Sequence, residues 1–460
     1  MRNKHDGTLA ANRPRMAGRS RRRACMRPTH RHAHVAVLLA AALLPPTTTL
    51  SAQTTALRCG RLIDGISAEA RENVTVIVRD GRVAELRDGT AVPDGVDRAL
   101  DIRGGTCLPG LMDLHTHLLI KPDGGPVSEL DRSSADRALD GLHAAQKMLH
   151  AGFTTVRNPG DYDTHYAMVS VKRSIAAGEH PGPRIFVAPH ALGPTGGHSD
   201  LNTLAPDAAI QTPTRTVNGV EEMRAMIREQ VKYGADWIKV MATGGVMSAG
   251  DDPTHTAYVD EEMWAAVDET HRLGRRITVH AIGTEGLKQA VAAGVNSVEH
   301  GILIDEEAIE MMKARGTWLI PTIYVLNYVV EEGPALGYPA ESVAKGRVLM
   351  ETRDDRVRRA IQAGVKIAFG SDTIFPHELA AREFAQLVRL GMSPMDAIRA
   401  ATWNAAQVLG IEDEVGTLRP GMVADIIAVD GNPLDDITEL EQVDFVMKDG
   451  EIIKDERPRT

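Results

Sequence analysis

Short apolar alternations separated by turns mark both ends of the chain. Asp-Gly pairs at 64–65, 80–81 and 449–450 follow or separate several of these alternations, which is typical of antiparallel strands joined by tight turns. The candidate strands are 56–59, 74–78, 83–86, 424–429, 445–448 and 451–454. We interpret the two ends as parts of one small β-sandwich, with residues 53–108 as its first part and residues 411–460 as its second.

Between these ends, apolar strands alternate with helical segments. The candidate strands are 108–115, 154–157, 185–189, 237–242, 277–281, 297–301, 318–323 and 367–372, and the helical segments include 135–150, 220–233, 261–273, 285–293 and 306–314. This alternation is typical of a parallel sheet covered by helices, so the eight strands predict an α/β fold, a (β/α)8 TIM-like barrel over residues 109–410. Residues 191–216 and 326–339 are interpreted as loops over the mouth of that barrel.

Residues 1–52 have the pattern of a signal peptide with a basic n-region. The arginine-rich segment 21–31 precedes the apolar run 35–44, and the expected cleavage position lies near 51–53. An alternative start at Met26 gives a more usual length. Such a short run cannot span a bilayer as a helix, so we expect a secreted or periplasmic protein with no stable membrane insertion after cleavage. The alternative is a disordered basic tail before a buried strand.

Charge is distributed unevenly along the chain. The net charge is -10, but residues 1–32 contain ten Lys or Arg and only one acidic residue. The remainder has 42 basic and 61 acidic residues, a net charge of -19. This balance argues against nucleic acid or an anionic membrane surface as a partner.

Two cysteines, Cys59 and Cys107, remain after the predicted leader. Both lie on predicted strands of the same region, and two thiols match no common metal-site spacing. A disulfide between them is possible, but we expect two buried, apolar thiols.

Two histidines stand near the end of the apolar strand that follows Gly104 and Gly105. In a strand, residues i and i+2 share one face, so the imidazoles of His115 and His117 converge while Thr116 points away. Two neutral imidazoles side by side form half of a metal site. The alternative is a pair of partly exposed histidines at a strand end.

Further residues of metal-ligand type recur at the carboxyl ends of other strands, where a barrel places its active site. They are Lys239 on the fourth strand, His280 on the fifth, His300 on the sixth and Asp372 on the eighth. Either histidine alone has an ordinary structural explanation, and Asp372 alone could cap the next helix. Their equivalent depths on the strands favour one metal centre.

Lys239 lies within a strongly apolar strand. An unpaired buried ammonium is costly there, and it has no lone pair to offer a metal. A lysine carboxylated at its amine would instead carry two oxygens and a negative charge, and could bridge two cations. The alternative is an ion pair with Glu299 or Asp372.

These motifs resemble the amidohydrolase superfamily in its binuclear form. The likeness is carried by Leu-Pro-Gly-Leu-Met-Asp-Leu-His-Thr-His at 108–117, Lys-Val-Met-Ala-Thr-Gly-Gly at 239–245 and Thr-Gly-Gly-His at 195–198. The pattern covers nearly the whole chain after the leader. Within the superfamily it is similar to the imidazolonepropionase-like, prolidase-like branch that includes ochratoxin-degrading amidases.

The resemblance implies a cofactor of two divalent metal ions, of which zinc is the expected one. His115, His117 and Asp372 would hold one ion and His280 and His300 the other, with N6-carboxylysine at Lys239 and a hydroxide between them. Asp372 would take a proton from the attacking hydroxide and return it to the departing nitrogen, because an amide nitrogen leaves poorly without one.

Three further residues are candidates around these ligands. His198 could hydrogen-bond the developing oxyanion or a substrate carboxylate, or be a solvent-facing loop histidine. Tyr324 could line the substrate pocket or be a packed rim aromatic. Arg157 could hold a carboxylate, although a structural salt bridge is the more ordinary role. Ile282 stands where many relatives have histidine or tyrosine, which weakens the case for binding a free amino-acid carboxylate.

We therefore predict a secreted binuclear amidohydrolase that cleaves C–N amide bonds of dipeptides or N-acyl amino acids, with prolidase-like or ochratoxin amidase-like activity. The alternatives are hydrolysis of a cyclic amide, as in imidazolonepropionase, hydrolysis of a lactone or phosphotriester, and an inactive scaffold on the same fold. A scaffold would be expected to lack ligands, and all six are present. We expect a small-molecule or dipeptide substrate and a homo-oligomer.

Overall fold

The computed structural model describes residues 53–121, 126–208 and 212–457, so the predicted signal peptide lies outside the described residues. The strands in chain order are β1 (Thr55–Leu62), β2 (Arg71–Arg79), β3 (Arg82–Asp88), β4 (Arg98–Pro109), β5 (Leu111–Asp113), β6 (Phe153–Pro159), β7 (Arg184–Ala188), β8 (Ala191–Leu192), β9 (Trp237–Met241), β10 (Arg276–Ala281), β11 (Ser297–His300), β12 (Trp318–Ile320), β13 (Ile426–Val429), β14 (Phe445–Lys448) and β15 (Glu451–Asp455).

The helices in chain order are α1 (Ser134–His150), α2 (Ala167–Ala176), α3 (Gly219–Tyr233), α4 (Asp260–Arg272), α5 (Thr284–Ala293), α6 (Glu306–Arg315), α7 (Ile323–Glu331), α8 (Ala340–Gln362), α9 (Arg382–Arg389), α10 (Pro394–Ala400) and α11 (Trp403–Leu409). Within the described ranges, none of them combines the length and the apolar character needed to cross a membrane.

Both ends of the chain contribute to one seven-stranded sheet. Its strand order is β15-β14-β13-β4-β1-β2-β3, with β1 and β4 parallel and the other neighbours antiparallel. Arg82 at the start of β3 bridges to Val423, and the Ala424 amide donates to the Gly81 carbonyl at 2.8 Å. The described strands thus form one sheet whose far edge returns to the segment before β13, and not the two separate packed sheets of the predicted sandwich.

The middle of the chain forms two parallel sheets whose strands alternate with helices. Their orders are β5-β6-β7 and β12-β11-β10-β9-β8. The predicted eighth strand is not a strand, because only a single bridge joins Ile367 to Leu319. The Phe369 amide instead donates to the Ala400 carbonyl, and the backbone turns left-handed at Asp372. Among the described residues the α/β alternation is present, whereas a continuous eight-stranded ladder is not.

The predicted loop 326–339 begins as a helix. Strand β12 ends at Ile320, and α7 starts at Ile323, where the buried carboxylate of Glu383 accepts hydrogen bonds from the amides of Ile323 and Tyr324 at 2.8 and 2.7 Å. Carboxyl oxygens at a helix N-terminus satisfy amides that have no partner within the helix. Glu383 is distant in sequence from this helix, so local patterning could not show it.

Cys59 and Cys107 form a disulfide between the neighbouring strands β1 and β4, with 5.8 Å between their Cα atoms. Both residues are fully buried, as expected, but the expectation of two free thiols is wrong. The pairing depends on the adjacency of two strands that are far apart in sequence.

Candidate metal centre and cavity

The six predicted ligands line one cavity of about 130 Å3, named here the main cavity. His115 and His117 follow β5, Lys239 lies in β9, His280 lies in β10, His300 ends β11, and Asp372 follows the segment that bridges to β12. The carboxyl ends of the parallel strands therefore bring together residues that are up to 257 positions apart.

Asp372 is central to this group. Its carboxylate oxygens lie 3.6 Å from His115 Nε2, 3.1 Å from His117 Nε2 and 3.9 Å from His300 Nδ1. One ligand atom from each of His115, His300 and Asp372 lies within 4.8 Å of the others, as they would around a shared cation. The His280 ring lies 4.5 Å from the His300 ring and extends the group to one side.

Each of the four imidazoles is held through one ring nitrogen by a protein oxygen, and the second nitrogen of His117 also contacts the carboxylate of Asp372. The contacts are His115 Nδ1 with Glu299 Oε2 at 2.8 Å, His117 Nδ1 with the Gly160 carbonyl at 2.6 Å, His300 Nδ1 with Thr322 Oγ1 at 2.6 Å, and His280 Nε2 with the Gly244 carbonyl at 3.0 Å. Metal-binding histidines are commonly oriented in this way by a second hydrogen bond.

Burial and neighbouring positive charges lower the pKa values of His115, His280 and His300 well below the ordinary range. These rings are therefore neutral, which is the form that binds a metal. Burial also acts to lower the pKa of His117, but its hydrogen bonds with Asp161 and Asp372 raise it to about 10.

Lys239 is 1% exposed, and its amine makes no hydrogen bond or ion pair with any residue in the described ranges. Burial lowers the pKa of Lys239 to about 8, although the charges of Glu299 and Asp372 act to raise it. The alternative prediction, a direct ion pair with one of these carboxylates, is therefore not what the structure shows. An isolated buried amine at this position is chemically unusual.

Three residues of the site have backbone conformations that non-glycine residues rarely adopt. His300, Thr322 and Asp372 have φ values of 70°, 45° and 58°. Such conformations cost free energy and concentrate at functional sites. Gly245 allows His198 to approach the backbone closely, because a Cβ at position 245 would lie 2.1 Å from the ring nitrogen Nδ1 of His198.

Arg157 lies beneath the ligands and does not line the main cavity, so its prediction as a carboxylate-binding residue is wrong. It is fully buried, and its guanidinium donates to Glu299 Oε1 at 2.5 Å and to the Leu114 carbonyl at 2.6 Å. The same group lies over the Trp237 ring, 4.6 Å from its centre. These protein partners leave it no role as a substrate clamp.

Tyr324 is also displaced from the predicted position at the pocket. Its ring packs edge-on against Phe375 with 5.0 Å between ring centres, and its hydroxyl accepts a hydrogen bond from Arg382 at 3.0 Å. Because α7 already begins at Ile323, the side chain is directed away from the cavity lining. The alternative, a packed rim aromatic, describes it correctly.

His198 lines the main cavity and does not face solvent as a loop histidine would. Its ring lies 4.3 Å from the His280 ring, and its Nδ1 lies 2.8 Å from Ser248 Oγ. Burial lowers the pKa of His198 to about 4, so the ring is neutral.

A second, smaller cavity of about 60 Å3 adjoins the metal-ligand group, and it was not anticipated from the sequence. We name it the side pocket. His198, His280, His300 and Asp372 contribute to its wall, and its apolar lining includes Val246, Ile282, Ile302, Val325, Leu326 and Val329. Three of these apolar residues, Val325, Leu326 and Val329, lie on α7, and the last two belong to the segment that was predicted to be a loop.

The parallel α/β framework and this centre define the class of protein. A family model described as amidohydrolase family matches residues 106–453, and the chain belongs to that family. It is a hydrolase that acts on amide bonds. The predicted family resemblance is therefore confirmed.

Individual relatives narrow the comparison. The chain is 33% identical over 366 residues to ochratoxinase from Aspergillus niger, covering 75% of each protein. It is similar to the crystal structure of a Xaa-Pro dipeptidase with methionine in its active site, with a TM-score of 0.83 and 35% identity over 87% of this chain and 100% of that one. It is more distantly similar to imidazolonepropionase from Cutibacterium acnes, at 26% identity over 62% of this chain and 60% of that protein.

Proposed function

We propose that the protein is a secreted, binuclear metal-dependent amidohydrolase that cleaves dipeptides or N-acyl amino acids. The observation that carries the proposal is the convergence of six ligand-type side chains on one cavity, with each imidazole held by one nitrogen. Names of the relatives support an amide substrate, since ochratoxinase and a Xaa-Pro dipeptidase both appear among them.

The residues present fit a pair of cations. Imidazole nitrogens and a carboxylate are the donors that zinc prefers, and a bound cation would displace the proton of His117. We propose that His115, His117 and Asp372 would hold one ion, that His280 and His300 would hold the other, and that Lys239, as N6-carboxylysine, would supply a further oxygen ligand. Carboxylation would resolve the isolated position of the buried amine, and the low pKa of Lys239 favours the neutral amine that such a reaction needs. Bound divalent ions make water a nucleophile near neutral pH and polarise a carbonyl.

Two residues then have chemical roles in the reaction. Although burial acts to raise it, contacts with His115 and His117 lower the pKa of Asp372 to about 2, so this carboxylate is ionised and can accept a proton. We propose that Asp372 takes a proton from the attacking water and gives it to the leaving nitrogen, and that His198 hydrogen-bonds the oxygen of the reacting carbonyl.

We also propose that the parallel strands close into a barrel over residues 109–410, between the parts 53–108 and 411–460 that share the seven-stranded sheet. Single backbone hydrogen bonds support closure. The Asp236 amide donates to the Val187 carbonyl at 2.8 Å, and the Leu114 amide donates to the Phe369 carbonyl at 3.0 Å. The first connects β7 to the residue before β9, and the second connects the end of β5 to the segment that bridges to β12.

The proposal is tested with purified, zinc-loaded protein. We expect two equivalents of metal by elemental analysis and turnover of members of a dipeptide and N-acyl amino-acid library. Asp372→Asn should abolish turnover, whereas Asp268→Asn, a matched change on the exposed face of α4, should not. Lactone turnover without amide turnover would contradict the substrate class, and near-normal activity of Asp372→Asn would contradict the proton role.

A further inference from the structure

Two buried polar groups in the main cavity have no hydrogen-bond partner among the described residues. They are Nε2 of His190 and Oγ of Ser199, and both residues line the cavity that contains the candidate ligands. His190 is 3% exposed. Buried polar groups are nearly always paired, so an unpaired one in the lining of a candidate active site is available to a polar group of the substrate.

The position of His190 is well defined by its surroundings. Its backbone carbonyl accepts a hydrogen bond from Gln230 at 3.2 Å, and its ring packs against Tyr166 with 4.7 Å between ring centres. The backbone carbonyl of Asp163 favours a proton on the ring. Nε2 has no partner, so the ring nitrogen that bonds the Asp163 carbonyl is Nδ1, and Nδ1 carries the proton. In this neutral form of the ring, Nε2 presents a lone pair.

Charges around His190 favour a ligand that donates hydrogen bonds. Arg215 lines the same cavity, but its guanidinium is paired with Glu229 at 2.5 Å, and Tyr166 also donates to Glu229 at 3.2 Å. Asp163 and Glu229 place negative charge near His190. Burial and the charge of Arg215 lower the pKa of His190 to about 4, which keeps the ring neutral and its lone pair free at physiological pH.

We propose that His190 is a substrate-recognition residue whose Nε2 accepts a hydrogen bond from the free amino group of a dipeptide. It would therefore make dipeptides better substrates than the same compounds acylated at that nitrogen. This inference rests on the proposed function and narrows its substrate class from two alternatives to one. His190 is not a candidate metal ligand and plays no part in the bond cleavage.

The test compares an aliphatic dipeptide with its N-acetyl form in the metal-loaded enzyme and in His190→Phe, which keeps an aromatic ring against Tyr166. For the dipeptide we expect KM to rise on the order of tenfold with little change in kcat, as for the loss of one hydrogen bond. For the N-acetyl compound we expect the same KM in His190→Phe as in the wild type. His190→Gln should recover part of the dipeptide preference, and His143→Phe, an exposed histidine on α1, should behave as wild type.

A binding measurement separates this proposal from the proposed function. The dipeptide is titrated calorimetrically into metal-loaded Asp372→Asn with and without the added His190→Phe change. We expect His190→Phe to weaken dipeptide binding by about the same factor as it raises KM. If affinity is lost in this way but the metal-loaded protein with Asp372 intact cleaves no amide, the recognition role stands and the proposed function fails. Equal effects of His190→Phe on both compounds, or no effect on either, would overturn the recognition role.

Discussion

At the scale of single residues, Glu299 connects the candidate metal centre to the core beneath it. Its fully buried carboxylate binds His115 Nδ1 at 2.8 Å, Arg157 at 2.5 Å and the hydroxyl of Thr278. The negative charge of Glu299 is therefore balanced by the buried guanidinium of Arg157. Removing that guanidinium should affect both folding stability and the orientation of His115.

We expect Arg157→Met to lower the free energy of unfolding by about 3–5 kcal/mol, because it leaves a buried carboxylate without its counter-ion. Denaturant titration measures this change. Arg359→Met, which removes an exposed pair with Glu306, is the matched control and should leave stability nearly unchanged. Similar effects of the two substitutions would show that the buried pair is not what stabilises this region.

At the scale of elements, α7 has two connections that its sequence does not reveal. Glu383 binds the N-terminal amides of α7, and the apolar face of α7 lines the side pocket. The position of α7 is therefore set by Glu383, a residue distant in sequence. Because α7 also lines the side pocket, its packing affects the shape of that pocket.

Burial raises the pKa of Glu383 to about 8, despite the two amide hydrogen bonds that act to lower it. A raised pKa in the folded state means that protonation favours folding. The corresponding stability is fully present below the ordinary carboxyl pKa and is lost as the pH rises through 8. We expect Glu383→Gln to remove this decline, measured as the difference in denaturant midpoints of wild type and variant between pH 5 and pH 9. Parallel pH profiles would contradict the assignment to Glu383.

The side pocket predicts a preference for substrates with a small aliphatic group. Its volume of about 60 Å3 is well below the ~150 Å3 of an engineered cavity that holds benzene. We expect Ile282→Ala to raise the ratio of kcat/KM for phenylalanine-containing over valine-containing dipeptides by roughly tenfold. Ile66→Ala, an exposed position, is the control and should leave this ratio unchanged. An unchanged ratio in Ile282→Ala would exclude the pocket from substrate selection.

At the scale of the whole molecule, the disulfide stabilises the sheet that both ends of the chain share. It closes a loop with a sequence separation of 48. On the chain-entropy view such a loop contributes up to about 4 kcal/mol. We expect the double variant Cys59→Ala, Cys107→Ala to unfold at lower denaturant, and a reductant to shift wild type but not the variant. Equal midpoints for oxidised wild type and the variant would show that the bond adds nothing.

Much of the candidate centre could be predicted because its residues stand at the ends of apolar strands, where type and spacing are both visible. Arg157 and Tyr324 have the same kind of position and were assigned wrongly. Arg157 points below the ligands, and Tyr324 lies on a helix that begins earlier than the strand pattern suggests. Which direction a side chain takes at a strand end depends on its packing partners.

The sequence by itself determined the α/β alternation, the contribution of both chain ends to one sheet, the family and the candidate ligands, because each follows from local periodicity or from short motifs. Only the tertiary structure decided the disulfide, the buried Glu299–Arg157 pair, the start of α7 and the unpaired nitrogen of His190. The first three depend on residues that are distant in sequence and adjacent in space, and the last depends on the burial of His190 in the folded chain.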